Sequence, residues 1–216
     1  MDLQSQAKMF RMQEPLEKVP AEWNLLQGMK CPMANMPIFT WFNETGADCL
    51  ARTDTFSLYL NHAPPYQEVA GDRAGMAFGH FLAVPHVRIY NAATLEPGDE
   101  HLIKDMRDQV CAWMDDPEFR SKVARTMTHK YYGCLGTEKL REHFHASLKK
   151  FELETSGKDM DFYFHLHPHH SVGHLHMHCL TMNLLTWVFK VLEYKNVHYT
   201  RISSDSRKPC KSRTWS

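Results

Sequence analysis

Histidine is the residue type that stands out in this chain. Of 15 histidines in 216 residues, seven (His165, His167, His169, His170, His174, His176 and His178) fall between positions 165 and 178. Imidazole ionises near pH 6.5, so it can serve at neutral pH both as a nucleophile and as a proton carrier. His174, His176 and His178 recur at period two, which on a strand puts all three on one face and Leu175, Met177 and Cys179 on the other. Strand geometry spaces such residues about 6 to 7 Å apart, close enough for all three to border one phosphate group. The middle residue, His176, can then attack while its neighbours hydrogen-bond. For that, its second ring nitrogen must be fixed as a donor, most simply to a backbone carbonyl. Ser171-Val172-Gly173, just ahead, adds a hydroxyl and flexible backbone N–H groups beside the attacked phosphorus, the kind of nest that receives an oxyanion.

These side chains need a sheet to hold them. Residues 161–167 and 174–180 read as a hairpin joined by a connection from Pro168 to Gly173. Phe56 to Leu60 is a short apolar strand ending at Asn61, and Phe81 to Val84 is another, stopped by Pro85. Leu102, Met106, Val110 and Trp113 recur at helical spacing and predict a helix over 98–114. Phe119, Val123 and Met127 predict a second after Asp116-Pro117, and Leu140, Phe144 and Leu148 a third, capped by Thr137 and broken at Ser156-Gly157. The expected architecture is α+β, an antiparallel sheet of about five strands with helices packed on one side. Residues 1–52, interrupted by Pro15, Pro20, Pro32 and Pro37, read as an irregular N-terminal extension, and 53–200 as the domain. Residues 201–216, with five basic residues, one acidic residue and no apolar period, read as a disordered tail.

Composition narrows the partners. With 25 Lys and Arg against 25 Asp and Glu, and 43% hydrophobic residues, the chain has no bulk charge with which to coat duplex nucleic acid or an anionic membrane. Any anionic ligand must be held locally. No run approaches the roughly 20 apolar residues of a membrane span, and the first residues lack the pattern of a secretory signal, so a cytoplasmic or nuclear location is expected. The six cysteines include no C-x-x-C pair and read as reduced thiols. A structural zinc site is the rival reading of a histidine-rich hairpin. Tetrahedral zinc usually draws ligands from separate elements, whereas these three histidines alternate along one strand, so no metal ligand is assigned.

The run His174-Leu175-His176-Met177-His178-Cys179-Leu180 resembles the His-φ-His-φ-His-φ-φ pattern of the histidine triad (HIT) superfamily, φ being hydrophobic. Upstream, Gly79-His80-Phe81-Leu82-Ala83-Val84-Pro85 is similar to that family's G-H-φ-L-φ-φ-P strand. The resemblance covers about residues 53 to 181. It implies a HIT-like fold and a nucleotide hydrolase or nucleotidyl transferase, with His176 as the nucleophile on an α-phosphate, His174 and His178 positioning it, and Ser171 near the leaving group. Asn61 resembles the ribose-contacting Asn of the dinucleoside polyphosphate hydrolase branch. His167 is similar to a histidine of the scavenger decapping enzymes, and His170 stands where several branches carry Gln. Many members have P-K-x-H after the Gly-His strand. Here Pro85-His86-Val87-Arg88 stands instead, so the fourth histidine of the site is either replaced by Arg88, which would bind phosphate bidentately, or displaced to His86. The resemblance implies a nucleotide as substrate, a homodimer, and no required cofactor, a divalent ion being able to accompany a polyphosphate. A catalytically weak nucleotide-binding or interaction protein with the same fold is the alternative.

Overall fold

The computed structural model describes residues 3–12, 49–71, 74–165, 174–186 and 199–201. Alternation along the strands decides which face of the sheet is covered by helices. Phe56, Leu58 and Leu60, then Phe81 and Ala83, Phe162 and Phe164, and Leu175, Met177 and Cys179 all point into one apolar core. The strands that carry them are β2 (Phe56–Leu60), β3 (His80–Pro85), β4 (Met160–His165) and β5 (Met177–Thr181). With β1 (Cys49–Arg52) and β6 (Tyr199–Arg201) they form one sheet of order β1-β2-β3-β5-β4-β6, antiparallel at every pairing. Five strands match the expected number, with β4 and β5 paired as the expected hairpin, and β6 adds a three-residue edge beside β4.

The helical layer supplies the other half of the core. Following α1 (Leu3–Arg11) and a single turn, α2 (Gln67–Ala70), come α3 (Asp99–Asp115), α4 (Pro117–Tyr131) and α5 (Glu138–Glu154). Their buried faces carry Met106, Val110 and Met114, then Phe119, Val123 and Met127, then Phe144 and Phe151. Burying each such side chain contributes about 1.5–3 kcal/mol. The helix starts are those the sequence spells. The Asp116 carboxylate accepts from Glu118 N–H ahead of Pro117, and Thr137 Oγ1 accepts from Leu140 N–H. Buried Arg120 donates to the carbonyls of Met114 and Glu152, the last turns of α3 and α5, where a cation is favoured. Among the described residues no helix is long and apolar enough to cross a membrane.

Both domain boundaries differ from expectation. The stretch 1–52 is not irregular at its ends: α1 occupies Leu3–Arg11, and β1 begins at Cys49 and pairs with β2 through a bulge between Cys49 and Ala51. Alternation over four residues is too short a signal to read, and α1 owes its place to packing on Tyr90. Arg201, read as the first residue of the tail, closes β6 opposite Tyr163. The rest of both segments lies outside the described residues.

Candidate active site

Strand pairing assembles the histidines. β5 is flanked by β3 and β4, so His178 faces Leu82 on one side and Tyr163 on the other, with His80 opposite Leu180. His178 alone of the three period-two histidines lies within β5, and His174 and His176 lead into it. The alternation still holds there, because Leu175 is buried in the helix-side core and its N–H donates to Ile89 O at 2.6 Å. His174, His176 and His178 therefore turn to the opposite face. The His176 and His178 rings lie 4.9 Å apart, His165 on β4 lies 4.5 Å from His178 and 6.1 Å from His176, and His80 lies 5.2 Å from His178.

Hydrogen bonds to backbone groups of fixed polarity assign the tautomers. His176 Nδ1 is 2.8 Å from His174 O. A carbonyl only accepts, so Nδ1 carries the proton and Nε2 keeps its lone pair. His174 likewise donates from Nε2 to Pro85 O at 3.0 Å. His80 Nδ1 accepts from Met76 N–H at 3.3 Å, which places its proton on Nε2, facing His178 Nδ1 at 2.9 Å. His178 must accept there and hold its own proton on Nε2. The result is a relay, Met76 N–H to His80 to His178, that leaves the proton of His178 on Nε2, in a ring whose centroid is 4.9 Å from that of His176.

Burial keeps His80, His174 and His178 neutral. It lowers His80 from 6.5 to about 3, with the neighbouring His165 and His176 adding to the effect. It lowers His174 to about 4 against the opposing bond to Pro85 O, and the nearby Arg88 charge adds to it. His178 is pushed well below its ordinary value by burial and then by His165, His176 and His80. Desolvation disfavours the charged imidazolium, the direction needed to preserve lone pairs at neutral pH.

The residues singled out in the sequence fall into three groups. His174, His176 and His178 are brought together. Asn61 follows β2 with its N–H donating to His80 O, its carbonyl accepting from Tyr131 Oη, and its side chain donating to Ala63 O. Arg88 is buried close enough to His174 to affect its ionisation. Ser171, His170 and His167 lie outside the described residues.

Of the two residues expected at the fourth position, both Arg88 and His86 lie close enough to His174 to affect its ionisation. His86 is bonded at both ring nitrogens, donating from Nδ1 to Asp54 O at 3.0 Å and accepting at Nε2 from Ser57 Oγ at 2.9 Å. The fourth imidazole bonded into the cluster is His80, from the Gly79-His80 pair, and His165 is a fifth. Sequence parity could have found His80: it shares a strand face with Leu82, which pairs with His178 once β3 is set beside β5.

One more element reaches the site. Phe10 of α1 is fully buried, with its ring edge-on to His174 at 5.6 Å. Among the described residues no three His, Cys, Asp or Glu side chains are placed to hold a metal ion. Comparisons with protein-family models, with curated proteins and with solved structures find no match to this chain.

Proposed function

We propose that the chain is a nucleotide-binding hydrolase that cleaves at an α-phosphate through a nucleotidyl-histidine intermediate and releases a nucleoside monophosphate. The observation that carries this reading is the bond from His176 Nδ1 to His174 O, which leaves Nε2 as a lone-pair nucleophile beside the buried rings of His174 and His178. The resemblance of residues 174–180 to the histidine triad pattern supports the choice of substrate. In the first step His176 Nε2 forms a bond to phosphorus while the bond to the leaving group breaks, that group departing with the bonding pair and taking a proton from solvent. In the second, water attacks the phosphorus, the P–N bond breaks with its pair returning to Nε2, and the water's proton passes to solvent, which restores His176 to its starting tautomer. His178 Nε2–H would stabilise charge at the phosphoryl oxygens, and Arg88 would meet a neighbouring phosphate.

The nucleophile itself needs no metal, and a divalent ion could accompany a polyphosphate. The same reading makes the chain a homodimer, for which light scattering should return twice the 25.2 kDa chain mass.

The test is prolonged incubation with a panel of dinucleoside polyphosphates, nucleoside phosphoramidates and capped dinucleotides, followed by detection of nucleoside monophosphate. Quenching in alkali, where a phosphohistidine bond survives, should recover a nucleotidylated chain whose label maps to His176. The variant His176→Asn should bind nucleotide within a few-fold of wild type and lose turnover by about a thousandfold or more. Nucleotide binding with no monophosphate release by the wild-type chain would leave a binding protein and remove the enzyme.

A further inference from the structure

The ladder between β3 and β5 ends at Ala83 opposite Met177, so the backbone of His174 to His176 is held by other means. Two of its ties go to the chain at and beyond the end of β3. His174 Nε2 donates to Pro85 O at 3.0 Å, and Leu175 N–H donates to Ile89 O at 2.6 Å. The same stretch grips the end of β4, because Asn91 Nδ2 donates to His165 O at 3.2 Å. Residues 85–91 are therefore a frame on which the lead-in to β5 hangs.

The N-terminal helix α1 packs on that frame and on the lead-in at once. Phe10, fully buried, meets Tyr90 edge-on with centroids 6.3 Å apart and His174 edge-on at 5.6 Å. Ala7 and Leu3 complete the contact with Tyr90. Arg11 clamps the end of the helix: its guanidinium lies 2.8 Å from Asp99 Oδ2 and 3.5 Å from Glu96 Oε1, and it donates to Thr94 O at 3.5 Å. Phe10 is the side chain through which this anchored helix reaches a histidine.

The His174 carbonyl is the acceptor that keeps the His176 proton on Nδ1. A hydrogen bond of this kind favours one tautomer by about tenfold, and only while ring and carbonyl stay in line. Without Phe10, the space opened beside the His174 ring lets that ring leave Pro85 O, and the lead-in then hangs on the bond from Leu175 to Ile89 alone. We infer that Phe10 is a positioning residue of the histidine site: by seating His174 against residues 85–91 it keeps the His174 carbonyl in line with His176 Nδ1, and with it the lone pair on Nε2. The helix lies outside residues 53–181, which carry the family resemblance, and so adds to the site something that resemblance does not supply.

Proton–nitrogen correlation spectra of isotope-labelled full chain, taken at about pH 7.5 where ordinary imidazole is neutral and well below the Tm of every variant, read which nitrogen of His176 is protonated. The His176 signals are those lost in His176→Asn. Wild type should show the Nδ1-protonated form, and Phe10→Ala should mix in the Nε2-protonated one. On the panel substrate turned over fastest by wild type, Phe10→Ala should lower kcat about three- to tenfold with KM within about twofold. Phe10→Leu, which refills the space, should return both readouts most of the way. Arg11→Ala loosens the helix without opening the core, should shift both in the same direction by less, and carries the test if Phe10→Ala does not fold. Met127→Ala empties a buried position on α4 at a comparable cost in stability and should move neither. A His176 proton that stays on Nδ1 in Phe10→Ala and Arg11→Ala, or tautomers mixed equally by Met127→Ala, would overturn the inference. The kinetic arm rests on the hydrolase reading and the spectroscopic arm does not. A wild-type chain that releases no monophosphate defeats that reading and leaves the spectra to decide the role of Phe10, whereas turnover with a tautomer indifferent to Phe10 defeats this inference alone.

Discussion

The Phe10 ring stands edge-on to the imidazole of His174, with centroids 5.6 Å apart and planes at 79°. Phe10 belongs to the N-terminal helix and His174 to the lead-in of β5, so a segment distant in sequence closes over the first of the three alternating histidines. The His174 carbonyl is what holds the His176 proton on Nδ1, so the helix bears on the proposed nucleophile through one intermediate residue.

Phe10→Ala should therefore destabilise the chain by about 3 kcal/mol, the lower end for a buried phenylalanine, because Arg11 still ties the helix to Asp99 at 2.8 Å. Denaturant unfolding measures the loss. Hydrogen exchange should show Ala7 to Arg11 deprotected first, and Phe10→Leu should restore most of the stability. An unchanged midpoint would mean that the helix does not hold this position in solution.

Acid should unfold the protein earlier than carboxylates alone would dictate. His80 and His174 have folded values of about 3 and about 4 against 6.5 when exposed, and His178 shifts the same way. The unfolded chain takes up these protons first. Their contribution is whole above pH 6.5 and is lost as pH falls from there toward 4, by about 1.4 kcal/mol per pH unit for each group. Tm should be level from pH 7 to 8 and fall below 6.5. His80→Phe should make that fall shallower, and an identical slope in the variant would show that His80 is not held neutral.

Gly79 should tolerate no side chain. A Cβ there would come within 2.6 Å of Thr181 Cγ2 and 3.1 Å of Phe151 Cε2, and the residue's N–H already donates to Thr181 Oγ1 at 3.1 Å. Gly79→Ala should cost about 1–3 kcal/mol in denaturant unfolding and displace the adjoining His80. Pairing it with Thr181→Ser, which removes the clashing methyl, should recover part of the loss.

Arg88 and His86 make different predictions under the hydrolase reading. Arg88 is buried near His174, whereas His86 is committed to Asp54 and Ser57. Arg88→Ala should lower kcat/KM for a dinucleoside polyphosphate by roughly ten- to a hundredfold and matter less for a simple phosphoramidate. His86→Ala should change neither by more than a few-fold. The reverse ranking would make His86 the phosphate-facing residue.

The alternation of His174, Leu175, His176, Met177, His178 and Cys179 is a local property, and from it the two faces of β5 follow without further information. The helix starts at Asp116-Pro117 and Thr137 and the strand Phe56–Leu60 were legible for the same reason: capping and period are set by residues within a few positions of one another. What joins the cluster to those histidines was decided elsewhere. His80 and His178 are 98 positions apart, and their 2.9 Å contact exists because β3, rather than β4 alone, lies against β5. Strand order is chosen by how whole faces bury against the helices, which no local period encodes. The placement of Phe10 on His174 belongs to the same class: it depends on segments that meet only after the sheet and its helical layer have closed.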